Sequence, residues 1–183
     1  MSELGVSDDA YRAAAAAAIE WAASRGLRIA TAESLTGGLL ADALVTVPGA
    51  SRSFSGGVVA YDTALKHSML GVDADRLRET GPVDEEVARQ MAAGVRAACA
   101  LPGEGEEDPR PAELGIATTG VAGPDPDPQT GEPAGTVWIG LSSEARTFAR
   151  LFHFSGDRDE IREASVRAAV ELLAAEVSAL LDS

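Results

Sequence analysis

A serine placed between a short apolar strand and a Gly-rich turn is held outward by rigid elements, and Ser34 stands so in Glu33-Ser34-Leu35-Thr36-Gly37-Gly38. Such a serine can attack a carbonyl carbon if a neighbouring base takes its proton. N–H groups at the start of the following helix can hold the oxyanion that forms, or a phosphate. Gly37 and Gly38 would let a ligand approach the backbone closely. The same serine can equally be a plain N-cap for the helix, and the segment alone does not choose. It is not a P-loop, because no Gly-Lys-Ser/Thr follows.

The base is sought among few residues. His67 sits next to Lys66 on an expected helix and so points elsewhere, and His153 alternates with Phe152 and Phe154 in an expected strand. Neither reads as a triad partner. Lys66 is the one lysine in a chain that otherwise takes its positive charge from arginine. Arginine is practically never neutral, whereas burial can strip a lysine of its proton. A lysine kept among arginines suits a task that arginine cannot do, although a surface lysine would give the same count. Burial would have to bring its pKa from about 10.4 to roughly 7–8 for work near neutral pH. Tyr61, at an expected strand end, supplies a second hydroxyl. Its spacing to Lys66 is one residue too long for the Tyr-x-x-x-Lys pair of short-chain dehydrogenases, and no Gly-x-Gly-x-x-Gly follows the first strand, so hydride transfer is set aside. Two histidines and one cysteine offer no zinc site, and Asp125 and Asp127 stand among prolines, so no metal is expected.

Two further segments read as ligand loops. Thr118-Thr119-Gly120-Val121-Ala122-Gly123-Pro124 follows a strand with small residues and hydroxyls. Gly156-Asp157-Arg158 opens the last helix, where Arg158 and the helix dipole together suit a phosphate. Plain turn chemistry would account for either one.

The elements that must position these groups follow from pattern. A helix is expected over 8–25, capped by Ser7 or Asp8 and stopped by Gly26, then strands at 27–31 and 58–61 with a helix to about Val47 between them. Helices are expected over 63–70 and 84–100, the second with Val87, Met91 and Val95 on one face. Cys99 falls on the same stripe as a core residue. Strands are expected at 114–118, 136–141 and 147–154, and a final helix from Asp157-x-x-Glu160 to about Leu181. Residues 101–112 and 123–135, rich in Pro, Gly and acid, are expected as surface loops. The resulting fold class is α/β, a three-layer α/β/α sandwich with a mixed, mostly parallel sheet, in one domain over 1–183.

Bulk properties narrow the function classes. No apolar run reaches the ~18 residues of a membrane span, and the first residues lack a signal-peptide pattern. A single cysteine fits a reducing compartment, so a cytoplasmic location is expected. A formal charge of −14 repels nucleic-acid backbones and anionic lipid, so neither is an expected partner. An anionic substrate would need local cations or N–H groups to reverse that field.

Taken together, Thr31-Ala32-Glu33-Ser34-x-Thr36-Gly37-Gly38, Tyr61 with Lys66, Gly120-x-Ala122-Gly123-Pro124, Gly135-Thr136-Val137-Trp138 and Gly156-Asp157-Arg158 resemble the CinA C-terminal domain family. The match runs in order from about Gly26 to the final helix. Stand-alone members of that family are nicotinamide mononucleotide deamidases. The resemblance implies hydrolysis of the carboxamide of nicotinamide mononucleotide to nicotinate mononucleotide and ammonia, in pyridine nucleotide salvage, with Ser34 and Lys66 at the working positions and no cofactor. Tyr61, Thr119 and Arg158 match positions around that site, and Thr36, Gly37, Gly38 and Gly123 fall in the matching motifs. Larger CinA proteins carry an additional N-terminal domain similar to molybdopterin-binding proteins, for which 183 residues leave no room. The acidic 101–112 segment and the long Pro-rich stretch after Pro124 depart from the pattern and bear on substrate breadth. Family habit and alanine-rich helix faces lead us to expect a homo-oligomer. Two other readings stay open: a non-catalytic nucleotide-binding regulatory module, and a Ser/Lys amidase acting on another amide.

Overall fold

A computed structural model describes residues 8–179 of the chain, apart from 104 and 106. Helix α1 (Asp8–Ser24) leads into strand β1 (Ile29–Glu33), and a turn then opens helix α2 (Leu39–Val45). Strand β2 (Phe54–Val59) is followed by three helices, α3 (Thr63–Leu70), α4 (Ala74–Thr80) and α5 (Glu85–Ala98). Two-residue strands β3 (Leu101–Pro102) and β4 (Pro109–Arg110) pair with each other. Strands β5 (Leu114–Gly120), β6 (Thr136–Ser142) and β7 (Thr147–His153) precede the long helix α6 (Arg158–Ala179).

The main sheet has the order β2-β1-β5-β6-β7. Strand β1 runs parallel to both β2 and β5, and β6 is antiparallel to β5 and β7. Four strands therefore point one way and β6 the other. The expected mixed, mostly parallel α/β/α sandwich is the fold found.

Alternation along the strands gives the two faces different characters. Ile29, Leu114, Ile116, Val137, Ile139 and Leu141 pack against α1, α2 and α6. The opposite face is lined by small residues such as Ala30, Ala32 and Ala117, and there α3, α4 and α5 sit. A Cβ at Gly115 would stand 2.0 Å from the Ala92 carbonyl oxygen, and one at Gly140 would stand 2.1 Å from that of Ala88. Helix α5 thus rests nearly backbone to backbone on the sheet, and the glycines allow that approach.

Helix starts are chemically explicit. Asp62 accepts the Ala64 N–H at 2.8 Å to open α3, and Gly71 in the left-handed region closes it. Asp157 accepts N–H groups of Asp159 and Glu160, while the Glu160 carboxylate accepts the Asp157 N–H at 2.8 Å, a reciprocal capping box that opens α6.

The structure shifts several expected elements. Strand β1 lies two residues later than expected and β2 starts four residues earlier, so Tyr61 is in the connection after β2. Helix α4 carries no apolar periodicity, and of its residues only Leu77 is buried, which is why pattern does not reveal it. The 101–112 segment holds the small, exposed β3–β4 pairing, and its last residue, Ala112, is buried. Ser7 and the end of the expected last helix lie outside the described residues.

Candidate active site

Ser34 is the first residue beyond β1, and its N–H donates to the Thr118 carbonyl at 3.0 Å, which ties it to the end of β5. Residues 34–37 close one tight turn through the Gly37 N–H and the Ser34 carbonyl at 3.1 Å. The N-cap reading of Ser34 fails here, because another residue caps α2. The Glu33 carboxylate, almost fully buried, accepts the N–H groups of Gly38 (2.9 Å), Leu40 (3.0 Å) and Ala41 (2.8 Å). Ser34 Oγ instead meets Lys66 Nζ at 3.0 Å.

Lys66 reaches Ser34 because of how α3 is turned. Its buried residues are Lys66 and Leu70, one turn apart, while Leu65 and Met69 face outward. Lys66 is 0% exposed and also donates to the Ala60 carbonyl at 2.7 Å. Ala60 in turn donates its N–H to the Glu33 carbonyl at 2.8 Å. One residue thus links the end of β1, the end of β2 and the lysine head. Burial lowers the Lys66 pKa from 10.5 to about 8, and the negative charge of Asp62 resists that fall. At that value roughly a tenth of the amine is neutral at pH 7, against almost none in water. A nucleophile, a base within hydrogen-bond reach and a carbonyl that orients the base are all present.

These groups face a cleft of about 370 Å³ with Ser34, Leu35, Tyr61, Thr63, Lys66, Pro82, Val83, Thr119, Ala122, Asp127, Pro128 and Arg158 among its lining. The size fits a small ligand, at the lower end of usual pockets. Larger hollows lie elsewhere, away from Ser34 and Lys66. The carboxyl ends of β1 and β5 form the cleft floor, the usual place for a ligand in an open α/β sheet.

The structure separates the remaining expected residues. Arg158 lies at the exposed rim, where its guanidinium donates to the Gly123 carbonyl at 2.7 Å and to the Tyr61 hydroxyl at 2.9 Å. Tyr61 is 60% exposed, and no hydrogen bond joins it to Ser34 or Lys66. Gly123 acts through that carbonyl, just before a cis bond to Pro124. Thr119 lines the cleft but donates its hydroxyl to the Pro82 carbonyl at 2.6 Å, leaving lone pairs to accept. Thr36 does not reach the ligand space, since it is fully buried with its hydroxyl 2.8 Å from that of Thr118. The expectation that the Gly37-Gly38 turn cradles a ligand is corrected, because the Gly37 N–H is taken by Ser34 and the Gly38 N–H by Glu33. Both glycines instead supply left-handed backbone, with φ of 58° and 102°.

Sequence reasoning missed five contributors. Pro82 and Val83, which follow the unrecognised α4, and Pro128 of the 123–135 loop supply apolar wall. The Gln129 side chain docks that loop on α4 by donating to the Leu77 carbonyl at 3.1 Å. The fifth is Arg162, one turn after Arg158, a spacing that could have marked it. It donates to the carbonyls of Leu35 at 3.0 Å and Thr36 at 3.3 Å. Among the described residues no three His, Cys, Asp or Glu side chains group so as to hold a metal, and no helix is long and apolar enough to cross a membrane. Asp127 turns Oδ1 to its own loop, accepting N–H groups of Gln129 and Thr130.

Known proteins resemble this chain in sequence and in fold. Residues 12–177 match the model of the CinA C-terminal domain. A CinA-like protein of Frankia casuarinae is 45% identical over 149 residues, 81% of this chain and 31% of that protein. A putative competence-damage inducible protein of Bacillus velezensis is 41% identical over 81% of the chain and 32% of its own length. The chain therefore spans about a third of the length of the curated relatives it matches. Among solved structures, the competence damage-inducible protein A of Klebsiella pneumoniae superposes with a TM-score of 0.81 at 30% identity, over 92% of this chain and 97% of that one. The competence-damaged protein (CinA) superfamily protein of Escherichia coli gives 0.80 at 30% identity, with 95% of each chain covered. On sequence and fold together, the chain belongs to the CinA C-terminal domain family.

Proposed function

We propose that the chain is an amidohydrolase that converts nicotinamide mononucleotide to nicotinate mononucleotide and ammonia. The observation that carries this reading is the wholly buried Lys66 with its amine 3.0 Å from Ser34 Oγ at a cleft of substrate size. Neutral Lys66 takes the Ser34 proton as Oγ attacks the carboxamide carbon. The tetrahedral intermediate collapses, Lys66 returns the proton to the departing nitrogen, and ammonia leaves behind a nicotinyl ester on Ser34. Water, deprotonated by the same amine, hydrolyses that ester and frees the carboxylate. Leu35, Pro82, Val83 and Pro128 offer apolar surface to the pyridine ring. Arg158 suits the phosphate, because three of its five N–H donors remain after the bonds to Gly123 and Tyr61.

The test is ammonia release by the purified chain from nicotinamide mononucleotide, nicotinamide riboside, nicotinamide and a set of simple amides. Release from the nucleotide well above the others is expected. Release only from an unrelated amide would replace the substrate and keep the Ser/Lys chemistry. Binding of the nucleotide with no release from any amide would make the chain a binding module.

A further inference from the structure

Among the residues that line the cleft, Asp127 carries the one carboxylate, and the Ser34–Lys66 chemistry gives it no task. It is half-buried and held in place on several sides. Oδ1 accepts the N–H groups of Gln129 at 3.1 Å and Thr130 at 2.8 Å, and the Thr130 hydroxyl at 2.8 Å. The Asp127 N–H donates to the Glu132 carbonyl at 2.8 Å, and its carbonyl accepts the Gly131 N–H at 2.9 Å. Pro128 next to it narrows the backbone choice further. The Gln129 side chain ties the loop to the Leu77 and Arg78 carbonyls of α4. Among the described residues, Oδ2 is the polar atom of Asp127 that these bonds leave over. An acceptor fixed in advance costs little ordering when a ligand arrives.

A carboxylate accepts and does not donate, so its ligand must bring a donor. In nicotinamide mononucleotide the pyridinium ring has none, and the phosphate is an acceptor that a carboxylate repels. The carboxamide N–H groups belong at Ser34. Two ribose hydroxyls remain, and they lie between the ring and the phosphate. Asp127 follows Gly123 by four residues, and the Gly123 carbonyl holds the Arg158 guanidinium at 2.7 Å. One loop thus serves both the phosphate anchor and the carboxylate. An acidic residue that accepts from a ribose hydroxyl is also how dinucleotide-binding folds recognise that sugar.

We propose that Asp127 is a specificity-determining residue whose free oxygen accepts from the ribose hydroxyls of the nucleotide substrate. This rests on the nucleotide reading above and names the group that recognises its sugar.

The experiment compares nicotinamide mononucleotide with its counterpart lacking both ribose hydroxyls. Affinity is read by calorimetry in Ser34→Ala, where neither nucleotide turns over, and ammonia release in the chain that keeps Ser34. The deoxygenated nucleotide should bind Ser34→Ala at least tenfold more weakly, because hydrogen bonds to a charged acceptor are lost. With Asp127→Asn added, Oδ1 still closes the loop while an N–H donor stands in place of Oδ2, and the gap should shrink to threefold or less. Asp127→Ser carries the same test if the asparagine variant does not fold, since its hydroxyl can still accept the loop N–H groups. An unchanged gap in a folded variant, no preference in Ser34→Ala itself, or binding of neither nucleotide would overturn the proposal. A preference that depends on Asp127, in a chain that releases no ammonia, would uphold it while overturning the amidohydrolase reading. Ammonia release with no preference for the ribose would overturn the proposal and leave that reading standing.

Discussion

The Lys66 amine sits 3.0 Å from Ser34 Oγ and 2.7 Å from the Ala60 carbonyl, fully withdrawn from water. As an ammonium it donates to both oxygens. As a neutral amine it keeps its bond to Ala60 and turns its lone pair to the Ser34 hydroxyl. The two protonation states therefore differ in function at the same position.

Ser34→Ala should abolish turnover by several orders of magnitude, because among the described residues Ser34 carries the one hydroxyl bonded to Lys66. The fold should persist, since Glu33 rather than Ser34 caps α2. Steady-state ammonia release beside circular dichroism checks both halves, and a folded variant with near-normal turnover would rule out covalent catalysis.

With Lys66 titrating near 8, the rate should climb through a single ionisation around that pH and level off above it. Lys66→Arg should be nearly as inactive as Lys66→Ala, because arginine keeps the charge but does not release its proton. A pH–rate profile for each variant decides the matter. Good turnover by Lys66→Arg would reduce Lys66 to a charge holder.

The same burial affects stability. Lowering the pKa from 10.5 to about 8 disfavours the charged form in the folded state by about 3 kcal/mol. Between those two values the unfolded chain binds the extra proton, so stability gained from Lys66 rises with pH across that window. Below pH 8 the penalty is present in full. Lys66→Met should therefore melt higher than the wild type at pH 7, by up to that amount, with the gap narrowing toward pH 10. Melting curves of the two proteins at pH 7 and above would refute the assignment if the gap held constant.

Arg158→Ala should raise KM for the nucleotide at least tenfold and leave the riboside nearly unchanged. Tyr61→Phe, which removes one anchor of the Arg158 guanidinium at the rim, should raise KM a few-fold with kcat retained. A collapse of kcat in Tyr61→Phe would restore Tyr61 to the chemistry. Equal effects of Arg158→Ala on both substrates would move the phosphate elsewhere.

Glu33→Ala should destabilise the protein by about 1–3 kcal/mol, because three N–H groups at the start of α2 lose their buried acceptor. Glu33→Gln, which retains one carbonyl oxygen, should recover part of this. Urea unfolding of the three proteins gives the comparison, and a loss below about 0.5 kcal/mol would mean that water replaces the carboxylate.

Much of the architecture is legible in local pattern. The caps Asp84 and Asp157 and the stripe of Val87, Met91 and Val95 act over a few residues, so reading them needs no partner. Helix α4 escapes that reading because only Leu77 is buried, and its position is set by contacts with α5 and the 123–135 loop. Within the site, Ser34 and Lys66 could be singled out by residue type, since lysine alone among the cations here can become neutral. Thr36, Gly37 and Gly38 could not be sorted in the same way. Whether a hydroxyl or an N–H faces a ligand depends on which groups from distant elements occupy it first, and here Thr118 occupies one and Glu33 another.

The chain by itself thus determined most of its element types, the strand-turn-helix around Ser34 and the uniqueness of Lys66, because these follow from short-range sterics and side-chain chemistry. Only the tertiary structure decided that Lys66 points inward from α3 to Ser34, that Glu33 closes the helix terminus, and that Arg162 reaches back across 126 positions to Thr36. Those outcomes depend on packing α3 and α6 against opposite faces of one sheet, and no stretch of neighbouring residues contains that information.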